Sequence, residues 1–139
     1  MQKIKLALFS LAGLFITFNL SWSQSINLEK NYYKRVSSKE AYEIIKSIKN
    51  NPEIVILDVR TEKEFKSGYI ENAKNLDFYA SNFKEELNKL DRNKTYLVFC
   101  RSGNRSGQTL DIMKNLGFKK AINIGGIIEW LDAGLPLIK

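Results

Sequence analysis

The chain has 139 residues and a formal net charge of +7, contains no histidine, and has Cys100 as its only cysteine. This length suits one domain with a core of its own, and the missing histidines exclude Ser-His-Asp triads, Cys-His pairs and histidine metal sites within one chain. A single cysteine also excludes an intramolecular disulfide and a zinc–thiolate cluster, so we expect neither a metal nor another cofactor. Acidic residues are interspersed among the basic ones, without the aromatic-interleaved basic stripe of nucleic-acid-binding proteins, so we expect no nucleic-acid partner.

Residues 1–23 have the layout of a secretory signal peptide. Two lysines precede an almost wholly apolar stretch at 6–20, and the small residues Ser21 and Ser23 then stand at the positions that a signal peptidase reads. The apolar stretch has about 15 residues, which is short for a membrane span of roughly 20. We therefore expect a cleaved leader and an exported protein, in a bacterium to the periplasm, without stable membrane insertion. The alternative is an uncleaved leader that tethers the protein to the membrane.

Residues 24–33 are polar and lack periodicity, which predicts a flexible N-terminal arm. We interpret Tyr32 and Tyr33 as the attachment of this arm to the domain. The domain itself spans residues 34–139, where no internal repeat or further boundary occurs.

Within the domain, short apolar runs alternate with helical patterns. The predicted strands cover 54–57, 73–76, 95–99 and 121–124, and the predicted helices begin near Ser37, Thr61, Ser81, Ser106 and Ile127. Capping-box spacing, a serine or threonine three residues before a glutamate, marks the first two helices. This alternation predicts the α/β class, with a central parallel sheet and helices on both faces. Ligands bind such sheets at the carboxyl ends of the strands, which is where the sequence places Asp58 and Cys100.

Cys100 is the residue most suited to chemistry. An apolar run leads directly into it, and a short loop and a predicted helix follow it. The thiol is therefore expected at a strand end facing a helix N-terminus, where backbone N–H groups and the helix dipole favour the reactive thiolate. The candidate binding residues are those of the loop, which offer amides, positive charge and hydroxyl groups: Arg101, Ser102, Gly103, Asn104, Arg105 and Ser106. The alternative is an inert buried thiol.

Asp58 and Arg60 are candidate supporting residues beside this loop. Asp58 ends a predicted strand, and Arg60 precedes Glu64 by four residues. We expect a structural role for both, with Arg60 and Glu64 forming an ion pair.

The chain from about Val36 to Leu137 resembles a single rhodanese domain, the sulfurtransferase module. The motifs that carry the resemblance are, in chain order, Leu57-Asp58-Val59-Arg60, Glu64-Phe65, Gly68-Tyr69-Ile70, Ala73, Asn75-Leu76, Val98 to Ser106, Gly117-Phe118, Gly125-Gly126, Trp130 and Leu135-Pro136. The resemblance implies a three-layer α/β fold with a five-stranded sheet. Many members of the family carry His where this chain has Tyr69 and Pro where it has Glu71, and we expect these departures to alter the wall of the site rather than its chemistry.

The resemblance also implies an activity, sulfur transfer through a persulfide on Cys100. The donor would be a small anion such as thiosulfate, and the acceptor cyanide or a thiol, including a thiol of another exported protein. Arg105 follows Cys100 by five residues, whereas related phosphatase loops place the arginine six residues on, so a phosphatase or arsenate reductase is a weaker alternative. A non-catalytic persulfide carrier or redox-binding module is the other alternative. No oligomeric state is predicted.

Overall fold

Five parallel strands form the sheet on which the domain is built. The computed structural model describes residues 31–48 and 50–139, so the predicted leader and most of the predicted arm lie outside the described residues. The strands are β1 (Tyr32–Arg35), β2 (Ile54–Asp58), β3 (Lys74–Asn75), β4 (Thr95–Cys100) and β5 (Lys120–Gly126). Their order in the sheet is β1-β5-β4-β2-β3, and every neighbouring pair is parallel. The expected α/β class with a five-stranded parallel sheet is confirmed.

Helices cover both faces of this sheet. They are α1 (Ser38–Ile48), α2 (Glu62–Lys66), α3 (Phe83–Asn88), α4 (Asn104–Asn115) and α5 (Ile127–Asp132). The predicted capping box at Thr61 is present, with the Glu64 N–H donating to the Thr61 hydroxyl at 3.2 Å and the Thr61 N–H donating to the Glu64 carboxylate at 3.0 Å. No helix in the described part of the chain is long and apolar enough to cross a membrane.

Strand β4 divides its side chains between two cores. Tyr96, Val98 and Cys100 join the core under α3 and α4, whereas Leu97 and Phe99 join the core under α1 and α5. Successive side chains of a strand point to opposite faces of the sheet, and a strand covered on both faces is apolar throughout. The position of Cys100 at the end of this run therefore directs its sulfur to the face that α4 covers.

Strand β1 is the element that the sequence analysis missed. It pairs with β5 along the edge of the sheet, from Tyr32 opposite Lys120 to Arg35 opposite Asn123. Tyr32 and Tyr33 therefore belong to the sheet, and their assignment to a flexible arm is corrected. An edge strand pairs on one side only and needs no continuous apolar run, which is why Tyr-Tyr-Lys-Arg did not reveal it.

Two predicted boundaries near Cys100 also change. Helix α4 begins at Asn104 instead of Ser106, with Gly103 as its N-cap. Strand β5 continues to Gly126, where the sequence predicted a turn. The earlier start of α4 shortens the loop after Cys100 to the three residues 101–103, so the sulfur lies directly at the start of the helix.

A buried ion pair fixes the end of β2. Asp58 accepts hydrogen bonds from the backbone N–H of Arg60 at 2.9 Å and from its guanidinium at 2.7 to 3.0 Å. The guanidinium also donates to the carbonyl of Gly68 at 2.7 Å, and both charged side chains are almost fully buried. Arg60 thus pairs with Asp58, and the expected pair with Glu64 is wrong. Spacing of four residues brings side chains together on a helix, but Arg60 lies at a bend that precedes the helix cap Thr61.

Removal of one member of this pair should destabilise the fold strongly. We expect Asp58→Asn to lower the free energy of unfolding by about 3 to 5 kcal/mol, because it leaves a buried guanidinium without its counter-charge. Chemical denaturation followed by circular dichroism measures the change. The control is Glu62→Gln, which breaks the exposed pair with Lys66 and should leave stability essentially unchanged. Equal effects of the two substitutions would contradict the prediction.

Candidate functional site

The sulfur of Cys100 lies at the base of a tight loop. Cys100 is completely buried. Its Sγ accepts a hydrogen bond from the backbone N–H of Gly103 at 3.0 Å, and the hydroxyl Oγ of Ser106 lies 3.3 Å away. The expected position of the thiol, at a strand end facing a helix N-terminus, is confirmed.

Gly103 gives the loop its shape. Its φ of +89° lies in the left-handed region that favours glycine, and this conformation turns the chain from the loop into α4. The first N–H groups of a helix lack partners within it, and Gly107 is the first residue of α4 whose N–H reaches back, to the Gly103 carbonyl at 3.1 Å. The loop and the first turn of α4 therefore present N–H groups around one sulfur.

The loop also rests on the end of β5. A Cβ atom built on Gly126 would lie 2.2 Å from the carbonyl oxygen of Arg101 and 2.5 Å from the nitrogen of Ser102. These distances are below any contact that real Cβ atoms make, so only glycine fits under the loop. The N–H of Ile128 then donates to the Arg101 carbonyl at 3.2 Å and holds the loop in place.

The surroundings of Cys100 lower the pKa of its thiol. Burial alone would raise this pKa, because it disfavours the charged form. Hydrogen bonds from the Ser106 hydroxyl and from the backbone N–H groups of Ser106, Ser102 and Gly103 outweigh burial, so the pKa lies below its usual value. The loop therefore enriches the thiolate, which is the nucleophilic form.

Arg105 is committed to an ion pair with α2. Its guanidinium donates to both carboxylate oxygens of Glu64, at 2.9 and 3.0 Å, and lies 5.2 Å from the ring centre of Tyr79. These hydrogen bonds, aided by those from Thr61, lower the pKa of Glu64 to about 2. Arg105 thus connects the start of α4 to α2, and its charge is balanced beside the loop.

The other predicted residues divide into two groups. Arg101, Ser102 and Asn104 are exposed on the outside of the loop, where the amide oxygen of Asn104 accepts a hydrogen bond from Gln108 at 3.3 Å. Asp58 and Arg60 lie behind the loop, with the Arg60 guanidinium 5.6 Å from the ring centre of Phe99. They support the strand that carries Cys100 rather than touching the sulfur.

Tyr69, which replaces the histidine of many family members, is partly exposed and packs against α2. Its ring stacks on that of Phe65 with the ring centres 4.4 Å apart. Its backbone forms a short antiparallel bridge with Ile138, with hydrogen bonds of 2.8 and 2.9 Å. The residue therefore connects α2 to the C-terminal segment.

Two residues that contact the loop, Asn123 and Arg35, were not predicted from the sequence. Asn123 of β5 donates to the Gly103 carbonyl at 2.9 Å and accepts from the Ser106 hydroxyl at 2.8 Å. A polar residue inside an otherwise apolar strand was the signal that could have identified it. The guanidinium of Arg35 lies over Gly103, about 3 Å from where a Cβ would be, and it forms an ion pair with Glu129 at 3.6 Å. No sequence signal identified Arg35, because β1 itself was not predicted.

Metal-ligating side chains do not cluster within residues 31–48 and 50–139. No group of three or more cysteine, aspartate or glutamate side chains in this part of the chain is placed to hold a metal ion.

Comparison with known proteins identifies the family. The sequence profile described as "Rhodanese-like domain" matches residues 40–133. The chain belongs to the rhodanese family. It is 33% identical over 99 residues to the thiosulfate sulfurtransferase GlpE of Coxiella burnetii, and the aligned region covers 70% of this chain and 87% of that one. It is also 33% identical over 106 residues to a putative mitochondrial thiosulfate sulfurtransferase of Schizosaccharomyces pombe, covering 68% of this chain and 75% of that one.

Solved structures agree with this assignment. The crystal structure of a rhodanese-related protein from Thermoplasma volcanium superposes with a TM-score of 0.64 at 32% identity, covering 76% of this chain and 98% of that one. Other rhodanese relatives are tRNA uridine(34) hydroxylases, but the chain covers only 29% of their length. The similarity to those proteins therefore concerns one shared domain.

The close approach at Gly126 should make this position intolerant of any side chain. We expect Gly126→Ala to lower the free energy of unfolding by at least about 2 kcal/mol, because the loop must move to admit the methyl group. It should also raise the pKa of Cys100, because the displaced Ser102 and Gly103 no longer direct their N–H groups at Sγ. Chemical denaturation and the pH midpoint of thiol alkylation measure the two effects.

Gly107→Ala is the matched control for this substitution. A Cβ at Gly107 would make only an ordinary contact of 3.5 Å with the Asn123 amide, and alanine stabilises a helix relative to glycine by up to about 1 kcal/mol. If Gly126→Ala were as well tolerated as Gly107→Ala, the close packing of loop on strand would be disproved.

The Glu64–Arg105 pair should make stability depend on pH. The pKa of Glu64 is lower in the folded protein than its ordinary value of 4.5, so its stabilising contribution is complete above pH 4.5 and is lost as the pH falls towards 2. We expect Glu64→Gln to cost about 1 to 2 kcal/mol at pH 7, since water partly screens the pair, and to cost almost nothing near pH 2. Denaturation at several pH values measures this difference, with the exposed Glu71→Gln as control. A cost that stayed constant with pH would contradict the prediction.

Proposed function

We propose that this protein is a sulfurtransferase that carries sulfane sulfur as a persulfide on Cys100. The observation that carries the proposal is the arrangement around one buried sulfur. The Gly103 N–H lies 3.0 Å from Sγ, the Ser106 hydroxyl lies 3.3 Å from it, and the pKa of the thiol is lowered. The relatives named as thiosulfate sulfurtransferases support the same reaction class.

In the first half-reaction the Cys100 thiolate attacks the outer sulfur of a donor such as thiosulfate. A new S–S bond forms to Sγ, the S–S bond of thiosulfate breaks, and its electron pair leaves with sulfite. The outer sulfur remains on Cys100 as a persulfide that carries one negative charge. No proton is transferred in this step, so the absence of histidine from the sequence is no obstacle to it.

The loop suits the charge that this step creates. An anionic sulfur in a buried site needs hydrogen-bond donors to replace water. The N–H groups of Ser102, Gly103 and Ser106 and the positive end of the α4 dipole offer this stabilisation without a titratable group. Covalent catalysis of this kind divides the transfer into two steps and gives ping-pong kinetics.

In the second half-reaction an acceptor removes the outer sulfur. Cyanide or a thiolate attacks this atom, the S–S bond to Sγ breaks, and the electron pair returns to Cys100 as the thiolate. Cyanide leaves as thiocyanate, and a thiolate acceptor leaves as a new persulfide. Small thiols and thiols of exported proteins are the acceptors that we propose for the natural reaction.

The phosphatase alternative is less well supported by the position of Arg105. A phosphoryl group needs a free cation above the cysteine, but this guanidinium is bound through both terminal nitrogens to Glu64. Sulfur transfer does not need a free cation, because backbone N–H groups donate hydrogen bonds to the sulfur directly.

We also propose that the protein acts outside the cytoplasm. The support is the sequence pattern of residues 1–23, with its basic start, apolar stretch and small residues before the expected cleavage site. Export would place Cys100 in an oxidising compartment, where a thiol that is used in catalysis needs the protection that burial gives.

Intact-mass spectrometry of the purified protein tests the proposed activity. After anaerobic incubation with thiosulfate, we expect a gain of one sulfur atom that cyanide reverses with release of stoichiometric thiocyanate. Cys100→Ser should abolish both the gain and the turnover. If several sulfane donors produced no gain in mass under reducing conditions, the sulfurtransferase proposal would be wrong, and a mixed disulfide trapped with an exported protein would favour a carrier or redox module. Hydrolysis of a chromogenic phosphate ester would instead favour the phosphatase alternative.

A further inference from the structure

A buried chain of hydrogen bonds extends from the sulfur to Asn123 on β5. The Ser106 hydroxyl lies 3.3 Å from Sγ of Cys100 and donates to Oδ1 of Asn123 at 2.8 Å. The same Oδ1 accepts the N–H of Gly125 at 3.0 Å. Cys100 and Ser106 are completely covered and Asn123 is 5% exposed, so water does not replace these partners.

The number of hydrogens available in this hydrogen-bond network depends on whether Cys100 is a thiol or a thiolate. A serine hydroxyl has a single hydrogen. When Cys100 is a thiol, its S–H donates to Oγ of Ser106, and the Ser106 hydrogen is free to point at Asn123. When Cys100 is a thiolate, the sulfur has no hydrogen and needs donors, so the Ser106 hydrogen turns towards it. Ionisation of the sulfur therefore reverses the direction of one hydroxyl.

Asn123 accommodates both directions without an unsatisfied buried group. Its Oδ1 accepts two hydrogen bonds when Ser106 points towards it, and it retains the bond from Gly125 when Ser106 turns away. Leaving a buried polar atom with no partner costs about 1 to 3 kcal/mol. The N–H of Gly125 removes this cost from the charged state.

The other end of the Asn123 amide holds the loop. Its Nδ2 donates to the carbonyl of Gly103 at 2.9 Å, and the N–H of the same Gly103 donates to Sγ at 3.0 Å. One side chain thus fixes the residue that supplies a backbone donor and also contacts the hydroxyl that supplies the side-chain donor.

Resting on the proposed function, we propose that Asn123 is a positioning residue of the sulfur site. Its amide oxygen sets the direction of the Ser106 hydroxyl, and its amide nitrogen fixes Gly103 over the sulfur. The loop thereby accepts the neutral thiol and an anionic sulfur with the same backbone.

The charged groups around this network are known from the structure. Beside the loop, Arg105 pairs with Glu64 and Arg35 pairs with Glu129, and behind it Asp58 pairs with Arg60. A shallow groove that opens beside Asn123 is also lined by Lys34, Asp111 and Lys114. Substitution of Asn123 removes no member of these pairs, so their charges stay the same when Asn123 is replaced.

The first test is Asn123→Asp, which keeps the side-chain shape and the acceptor at Oδ1 but replaces the Nδ2 donor with a second oxygen. An ionised aspartate holds the Ser106 hydrogen more strongly, loses the donor to Gly103 and adds negative charge, and all three changes disfavour the thiolate. We expect the pH midpoint of Cys100 alkylation by iodoacetamide to rise by about one unit, which is about a tenfold loss of thiolate at a pH below both midpoints. An unchanged midpoint in a folded variant would overturn the proposal.

A double-mutant cycle with Ser106→Ala separates the hydrogen-bond network from charge alone. If part of the effect of Asn123 acts through Ser106, the shift caused by Asn123→Asp should be smaller in the Ser106→Ala background, where only the lost donor to Gly103 and the added charge remain. Ser106→Thr, which retains the hydroxyl, should restore the full shift. Equal shifts with and without the hydroxyl would mean that Asn123 does not act through Ser106, and the proposal would fail.

A second measurement avoids substitution at Asn123 in case Asn123→Asp does not fold. In the unsubstituted protein, the NMR signals of the Asn123 side-chain amide and of the Gly125 N–H should shift with pH at the Cys100 midpoint. In Ser106→Ala these shifts should shrink at least about twofold, because the hydroxyl that transmits the change is missing. Signals that ignore the ionisation of Cys100 would overturn the proposal.

Neither readout requires a sulfur donor, so the two proposals fail separately. If the protein transferred sulfur but the midpoint and the NMR signals did not depend on Asn123 and Ser106, the positioning role would fall and the activity would stand. If no sulfur were transferred but the midpoint moved as expected, the network would stand as a device that positions the thiol.

Discussion

An anionic sulfur that is cut off from water must be stabilised by donors from the protein, and the rest of this structure depends on that constraint. Strand β4 buries Cys100 at the centre of the sheet, where no solvent contributes. The donors are mainly backbone N–H groups, so their positions are decided by the path of the chain rather than by flexible side chains. Gly103 turns the loop over the sulfur, and Gly126 lets the loop lie directly on the neighbouring strand.

Two ion pairs hold the elements that border this loop. Asp58 and Arg60 fix the end of β2 beside β4, while Glu64 and Arg105 join α2 to the first turn of α4. The two pairs differ in burial: the first is almost fully covered, and the second has a partly exposed carboxylate. The first pair therefore stabilises the fold, and the second connects α2 to the start of α4, the helix that faces the sulfur.

Strong local patterns made much of the fold predictable from sequence. The apolar runs of β2 and β4 and the capping box at Thr61 depend on neighbouring residues and were confirmed, as was the position of Cys100 at the end of a strand. The parts that were missed depend on contacts between distant residues. Strand β1 exists because β5 offers it an edge, and Arg60 pairs with Asp58 because the chain bends outside any helix. Asn123 follows Cys100 by more than twenty residues in the sequence, and only the pairing of β4 with β5 brings it to the loop after that cysteine.

The complete burial of Cys100 has a consequence for how its reactivity is interpreted. A reagent reaches a covered atom only when the structure opens locally, so the observed rate is the product of an opening equilibrium and the intrinsic nucleophilicity of the sulfur. A substitution that loosens the loop increases the first factor and, by scattering the N–H donors, decreases the second. A faster reaction therefore does not by itself mean a better nucleophile at Cys100. Because the sulfur is reached only through local opening, Cys100 should also select its reaction partners by size: a small anion needs a smaller opening than a bulky thiol does.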